Sequence, residues 1–186
     1  MNNEISTGFC PHCGHEGLLY PDARQWICDN CGFSLYKNVA ASVGIIFYTE
    51  DNQVLFEVRK RDPKKGFLDL PGGFCDPDEP AEDTCVREFY EETGLKLERD
   101  KFKFLCTSPN TYEYKGINYK TCDMFFCYKA DVSDGGFEDF LKTLTAEEDE
   151  VDSFKICRIE DETQIDKMDL AFNSFRVALK NWLKIR

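Results

Sequence analysis

The chain has 186 residues, of which 42% are hydrophobic and 14% aromatic, and 35 acidic against 23 basic side chains give a formal net charge of −12. This apolar content lies above the range of disordered chains and fits one medium domain plus a small module. The negative charge repels a phosphate backbone and therefore disfavours nucleic-acid binding, although divalent cations can still hold a small polyphosphate substrate.

The N-terminus and the cysteines indicate the compartment. Residues 1–8 have neither a basic start nor an apolar run, so no signal peptide is expected. No stretch approaches the roughly 20 apolar residues of a membrane span, so no membrane partner is expected. Four of the ten cysteines form paired CxxC motifs, which in a chain without an export signal indicates metal ligation in a reducing compartment, and a cytoplasmic location is predicted.

Strands interleaved with two helices are predicted after a short cysteine-bearing segment, which favours a mixed α/β domain at 37–186 behind a small module at 1–36. A loop containing Pro109 and Lys115-Gly116 is predicted between the fourth and fifth strands of the domain. The predicted strands are 39–48, 53–59, 67–70, 102–107, 119–128 and 152–159, and the predicted helices are 80–93 and 169–183.

Both helices have local sequence evidence. The first begins at Asp78-Glu79-Pro80, which offers an acidic cap and a proline in the first turn, and Gly94 supplies its C-terminal stop. The second is amphipathic and is expected to pack on a sheet. Its apolar face consists of Ala171, Phe175, Ala178, Leu179 and Trp182.

Four thiols form the first chemical motif, in the CxxC turns Cys10-Pro-His-Cys13 and Cys28-Asp-Asn-Cys31. Two such turns can build a tetrahedral cage that favours Zn²⁺, with iron as the less favoured occupant. Four protein ligands leave no open position, so the zinc would be structural and would hold together a module too small for its own core. Four free cysteines, or a redox pair at one turn, are the alternatives. The neighbouring histidines and the other six cysteines lack ligand spacing and are expected to be bystanders and small apolar residues.

Three carboxylates on the first helix form the second motif. Glu88, Glu91 and Glu92 stand at i, i+3 and i+4, which places them within an arc of about 100° and about 6 Å along the axis. They repel one another unless a counter-charge is present, and Arg87 can offset part of this through Glu91. Mg²⁺ or Mn²⁺ is the natural partner of such oxygen ligands. A solvated acidic helix face is the alternative interpretation.

The segment from Gly73 to Leu95 reads GFCDPDEPAEDTCVREFYEETGL and matches the Nudix box position by position. The chain therefore resembles the Nudix hydrolase superfamily. The resemblance implies an α/β/α sandwich with a mixed sheet in which Glu88, Glu91 and Glu92 ligate Mg²⁺, helped by a backbone carbonyl near Gly73.

The same resemblance implies roles for further residues. Arg87 and Glu79 would orient the helix and its carboxylates. The family often recruits a glutamate from a late loop as general base or further metal ligand, and Glu150 is the candidate here, with Glu147 and Glu148 behind it. A plain acidic loop is the alternative for these three residues.

A zinc ribbon ahead of a Nudix domain resembles the NADH pyrophosphatase branch of the superfamily. The segment 170–176 is also similar to one in zinc-ribbon Nudix proteins, but residues 107–113 read TSPNTYE where that branch carries an SQPWPFP-like signature. Pro109 resembles a proline of ADP-ribose pyrophosphatases, whereas Tyr112 resembles a tyrosine of diadenosine-polyphosphate hydrolases. Tyr112, Tyr114 and Tyr119 can stack a base or serve as ordinary strand residues.

These observations predict hydrolysis of a nucleoside diphosphate linked to another moiety, with ADP-ribose or an NADH-like dinucleotide first among the small-molecule substrates. The alternative is a nucleotide- or RNA-binding sensor whose Nudix domain binds without turnover. The three repelling carboxylates disfavour the sensor, because a pure binder does not need them. Related enzymes are often dimers, so a homodimer is a further expectation from the resemblance.

Overall fold

The computed structural model describes residues 8–22, 24–132 and 136–186, which divide into two compact units, one ending at Val39 and the other running from Ala40 to Arg186. Residues 1–7, most of the segment considered for a signal peptide, lie outside the described residues. Within the described ranges, no helix is both long enough and apolar enough to cross a membrane.

The N-terminal unit is a three-stranded antiparallel sheet of β1 (Leu18–Asp22), β2 (Gln25–Cys28) and β3 (Ser34–Tyr36), paired in chain order. Among the residues of this unit whose side chains are described, the buried cluster contains two cysteines and one leucine, against which Trp26 and Phe33 pack. So small a core cannot offset the ordering of the chain, so a further source of stability is needed.

The larger unit is built on one mixed six-stranded sheet with the order β6-β5-β4-β8-β7, and β9 pairs with β5. Strands β4 and β8 run parallel, and every other pair is antiparallel. The strands are β4 (Ala40–Tyr48), β5 (Gln53–Arg59), β6 (Leu68–Asp69), β7 (Lys103–Tyr114), β8 (Ile117–Lys129) and β9 (Val151–Arg158).

Helices cover both faces of this sheet. Because successive side chains of a strand point to opposite faces, Ile45 and Phe47 of β4 join one core with Phe89, and Ile46 joins another with Leu179 and Trp182. The predicted α/β sandwich is therefore confirmed. The helices are α1 (Ala81–Thr93), α2 (Gly136–Leu141), α3 (Glu162–Lys167) and α4 (Asn173–Trp182).

The predicted loop around Pro109 is wrong. Strands β7 and β8 form one long hairpin in which Pro109 pairs with Cys122, and only Lys115-Gly116 makes the turn. Proline lacks an N–H but is tolerated here because β7 is the last strand of the sheet, with one side unpaired.

The last helix begins at Asn173, four residues later than predicted. The preceding segment is extended because the Leu68 amide donates to the Asp169 carbonyl at 2.8 Å and the Ala171 amide donates to the Leu68 carbonyl at 2.9 Å. Helices α2 and α3 were not predicted, since six residues are too few to show a helical period.

Candidate active site

Helix α1 carries the acidic residues of the candidate site. The predicted acidic cap is wrong: Pro80 occupies the N-cap position, and no side chain caps the first turn. Glu79 accepts a hydrogen bond from the Thr84 hydroxyl at 2.8 Å instead. Gly94 ends the helix in the left-handed conformation, with φ 73°, as predicted.

Arg87 lies at the centre of a hydrogen-bond network. Its Nε donates to Glu79 Oε1 at 3.0 Å and its Nη2 donates to Glu79 Oε2 at 2.9 Å, which is the two-pronged geometry of a strong ion pair. Its Nη1 donates to Glu88 at 2.7 Å and to Glu91 at 3.2 Å. The Arg87 hydrogen bonds lower the pKa of Glu79 to about 2, so Glu79 stays ionised and fixes the arginine.

The three helix carboxylates differ in environment. Glu91 is exposed, whereas Glu92 is buried and accepts a hydrogen bond from the Gly72 amide at 2.8 Å. Burial raises the pKa of Glu88 and raises the pKa of Glu92 well above its ordinary value, with nearby carboxylates adding to both shifts. Two of the three groups therefore lie where a positive charge would stabilise their ionised forms.

A fourth carboxylate, Glu57 on β5, was missed by the sequence analysis. It is 4% exposed, its Oε1 makes no hydrogen bond in the described part of the chain, and burial raises its pKa well above the ordinary value. It adds to the raised pKa of Glu92, so the two side chains are near neighbours. One acid among the apolar residues Val54–Val58 was the available signal, because an unpaired buried charge is costly.

The late acidic loop lies against the end of α1. The Thr145 amide donates to the Thr93 carbonyl at 2.8 Å, and the Glu147 amide donates to the Glu92 carbonyl at 3.3 Å. Glu150 forms an ion pair with Arg61 and contributes to the raised pKa of Glu88. The loop therefore adds its acidic residues to the carboxylates of α1.

Two glycines let the backbone approach these carboxylates. At Gly72 the φ angle is 141°, and a Cβ would lie 2.3 Å from the Val43 carbonyl oxygen. A Cβ on Gly73 would lie 2.5 Å from the Glu88 carboxylate, and the Gly73 carbonyl accepts the Val43 amide at 2.8 Å. The backbone at Gly73 therefore lies directly against the Glu88 carboxylate, with no room for a side chain. The carbonyl and carboxylate oxygens brought together there are hard donors of the kind that a divalent cation prefers.

An aromatic cleft borders the segment that contains these two glycines. The rings of Phe74 and Tyr112 meet edge to face at 5.7 Å, and Tyr112 lies 5.8 Å from Phe172. Tyr114 and Tyr119 line a neighbouring cleft that shares Phe74 and Tyr112 with the first. Of the three tyrosines considered for base stacking, Tyr112 lines both clefts, and Tyr114 and Tyr119 line the second.

The sequence profile of the NUDIX domain matches residues 39–176, nearly all of the larger unit. The chain belongs to the NUDIX family. The family assignment predicted from the carboxylate motif is thereby confirmed, and that motif lies on α1 of the NUDIX unit.

Several proteins resemble this NUDIX chain. The NAD-capped RNA hydrolase NudC of Escherichia coli O1:K1 / APEC is 28% identical over 99 residues, which are 52% of this chain and 37% of that protein. The match thus spans little more than a third of the curated relative. A NUDIX hydrolase from Nitrosomonas europaea superposes with a TM-score of 0.61 at 24% identity, covering 96% of this chain and 92% of that one. The NUDIX domain of Shewanella oneidensis NrtR, solved with ADP ribose, gives 0.60 at 20% identity, covering 81% and 91%. These two superpositions show that the chain shares the fold of these proteins.

The N-terminal unit of the NUDIX chain brings its four predicted thiols together. The sulfur atoms of Cys10, Cys13, Cys28 and Cys31 all lie within 4.8 Å of one another, with 3.8 Å between Cys10 and Cys31 and 3.7 Å between Cys13 and Cys28. Each CxxC turn closes with a glycine amide donating to its first cysteine carbonyl at 2.9 Å. These four groups could hold one metal ion.

The histidines of this unit make other contacts. His15 lies 3.1 Å from Asp29, and His12 stacks on Phe33 with a centroid distance of 5.7 Å. In the NUDIX unit the remaining six cysteines are buried or half-buried, and none is in a disulfide. Both observations agree with the interpretation of these residues as bystanders.

Gly72→Ala is expected to lower the free energy of unfolding by about 2–3 kcal/mol, because the methyl group meets the Val43 carbonyl and alanine is strained at φ 141°. Urea unfolding followed by fluorescence measures the change. Gly66→Ala is the matched control, since Gly66 also has a positive φ but has open space around its Cβ position. Equal losses in the two variants would show that the close approach at Gly72 contributes nothing.

Proposed function

We propose that this NUDIX chain hydrolyses the diphosphate bond of a nucleoside diphosphate linked to another moiety, with Mg²⁺ or Mn²⁺ as cofactor. ADP-ribose or an NADH-like dinucleotide is the favoured substrate. The observation that carries the proposal is the geometry of the acidic motif on α1: the buried Glu92 accepts the Gly72 amide at 2.8 Å, and Arg87 holds Glu88 and Glu91. Burial raises the pKa values of Glu88 and Glu92. Such clusters are typical of functional sites.

In this proposal Glu88, Glu91 and Glu92 hold the cation, and the Gly73 carbonyl contributes its second lone pair. A bound Mg²⁺ supplies positive charge for the phosphate oxygens and lowers the pKa of a bound water. Arg87 fixes the carboxylates of Glu88 and Glu91 through its two Nη1 hydrogen bonds. Glu79 in turn fixes the arginine, so the ligand geometry is set before substrate arrives.

The late loop supplies the general base in this scheme. Glu150 has one oxygen, Oε1, held by Arg61. The other oxygen, Oε2, accepts the proton of the attacking water. The ion pair with Arg61 orients this carboxylate through Oε1.

Glu150→Gln is expected to lower kcat by about 10²-fold, because an amide cannot accept the proton. Steady-state turnover with Mg²⁺ measures the effect. Glu148→Gln is the matched control, since Glu148 lies in the same loop with an exposed side chain. A larger loss in the control, or in Glu147→Gln, would move the base to that residue.

We propose in addition that the N-terminal unit, taken as a zinc ribbon at 1–36, binds one structural Zn²⁺ through its four cysteines. Four soft sulfur donors within 4.8 Å of one another support zinc. Both CxxC turns present their sulfurs in the same way, as their matching glycine hydrogen bonds indicate. The small buried cluster of this unit explains why a metal would be needed.

The comparisons support a nucleotide substrate class. One structural relative was solved with ADP ribose, and the curated relative is named as a hydrolase of NAD-capped RNA. The net charge of −12 disfavours a long RNA and favours the small molecule. The homodimer stays a prediction.

The test is chromatography of products after incubation with Mg²⁺ and a panel of NADH, ADP-ribose, diadenosine polyphosphates, nucleoside triphosphates and an NAD-capped RNA. Release of a nucleoside monophosphate, abolished by EDTA, is the expected result. Absence of turnover with every member, together with tight binding of one, would favour the nucleotide-binding sensor and overturn the enzyme.

A further inference from the structure

Asp123 on β8 is a buried carboxylate with one oxygen unused by the protein. It is 5% exposed and lines the aromatic cleft. Its Oδ1 accepts the Ser42 hydroxyl at 2.7 Å and the Thr121 hydroxyl at 2.6 Å. No described residue donates a hydrogen bond to its Oδ2, and this atom is not fully enclosed by the protein, so it is accessible from the cleft. Asp123 is therefore fixed in place with one acceptor atom facing the cleft.

This arrangement presents a fixed acceptor to a ligand. The two hydroxyls on Oδ1 orient the side chain but add no charge. Oδ2 can therefore accept an N–H or O–H of a molecule bound in the cleft, in place of water.

Aromatic side chains form part of the wall of the cleft. Phe74, Tyr112 and Phe172 supply three aromatic surfaces, and the Arg59 guanidinium lies 5.6 Å from the centre of the Phe172 ring. Arg59 is paired with the buried Asp69, so its charge is already balanced and does not call for a phosphate. Aromatic walls stack nucleobases readily, whereas phosphates require free cations or amides.

The cleft and the carboxylate site share one segment. Gly72 holds Glu92 through its amide, Gly73 lies against Glu88, and Phe74 walls the cleft and bridges to Ser42 of β4. A nucleotide with its base in the cleft therefore has its phosphates on the side of the α1 carboxylates. This shared segment ties the cleft to the same ligand as the proposed hydrolysis.

We propose that the cleft binds the base of the substrate and that Asp123 Oδ2 accepts an N–H of its exocyclic amino group, selecting adenine over hypoxanthine. The proposal rests on the proposed function for the rest of the substrate. In hypoxanthine a carbonyl oxygen replaces the amino group, so two acceptors would face each other in the same pose, and the N1–H donor lies one ring atom away. A site that binds a donor at one position disfavours an analogue that presents an acceptor there.

The test is the ratio of kcat/KM for ADP-ribose to that for inosine diphosphate ribose, in the wild type and in Asp123→Asn. The wild type is expected to favour ADP-ribose by about 10- to 100-fold. In the variant the amide oxygen still accepts both hydroxyls, and the amide NH₂ replaces Oδ2, so the preference is expected to reverse. Asp100→Asn, at a side chain 99% exposed, is the matched control and keeps the wild-type ratio. The same ratio in the wild type and in Asp123→Asn would overturn the proposal.

A binding experiment separates this inference from the proposed hydrolysis. AMP and IMP contain no diphosphate bond, so calorimetry with them measures binding alone. The wild type is expected to bind AMP more tightly than IMP, and Asp123→Asn is expected to abolish this difference. Phe74→Leu is expected to weaken AMP binding at least fivefold through lost stacking, whereas Phe104→Leu, an exposed ring elsewhere on the sheet, leaves it unchanged. AMP selectivity without turnover would support the cleft and overturn only the hydrolysis. Turnover with no base selectivity would overturn only the cleft.

Discussion

Glu91→Gln is expected to lower kcat of magnesium-dependent hydrolysis by about 10²- to 10³-fold while the fold stays intact. The amide removes one negative charge and an oxygen donor at the proposed cation site, where electrostatic stabilisation is the main source of rate. Glu91 is the suitable member of the three for this change because its side chain is 50% exposed and contacts Arg87 without supporting the core. Steady-state kinetics across a Mg²⁺ titration measures the loss.

Glu82→Gln is the matched control for this prediction. Glu82 lies on the same helix at 42% side-chain exposure, and its ion pair is with Arg99, away from Arg87. Thermal unfolding of both variants should stay close to the wild type, since exposed ion pairs contribute little to stability. A folded Glu91→Gln protein with activity near the wild type would remove Glu91 from the site.

Cys28→Ser is expected to release the zinc and unfold the N-terminal unit. Cys28 is 1% exposed, and it is both a proposed ligand and one of three residues in the small core. A hydroxyl is a poor ligand for zinc, and small metal-bound modules lose their fold with the metal. Elemental analysis should fall from about one zinc per chain to about zero, with faster proteolysis before Ala40.

Cys157→Ser is the matched control, because this half-buried cysteine of β9 belongs to the other unit. Its zinc content should equal that of the wild type. Full zinc occupancy in Cys28→Ser would show that the metal is bound elsewhere. Iron in place of zinc in the wild-type protein would leave the four proposed ligands unchanged and would change only the identity of the metal.

The sequence predicted those parts of the fold and of the site that depend on residues close together in the chain. Helix α1 is set by Pro80, by Gly94 and by its own spacing of acids and apolar residues, so its bounds differ from the prediction by one residue. The hydrogen bonds of Arg87 to Glu79 and Glu91 lie within eight residues, and the contact with Glu91 was predicted from the helical spacing.

The residues that the sequence analysis missed depend on distant partners. Asp123 is held by Ser42, 81 positions away, and nothing near Asp123 in the sequence distinguishes it from a surface acid. Glu57 is buried because β6 and β9 both pair with β5 at that residue. Pro109 was placed in a loop by its residue type, whereas its position on the edge of the sheet is a property of the whole sheet.

If the proposed cation site and base cleft are both correct, the segment 72–74 would make cation binding and base binding mutually dependent. Its amide at Gly72 orients a carboxylate on one side, and its ring at Phe74 walls the cleft on the other, two residues apart. A base that restricts Phe74 also restricts the peptide units beside Glu88 and Glu92. By thermodynamic reciprocity, Mg²⁺ should then raise the affinity for the nucleoside by the same factor by which the nucleoside raises the affinity for Mg²⁺. The protein would thereby retain its metal most firmly when a correct base is bound.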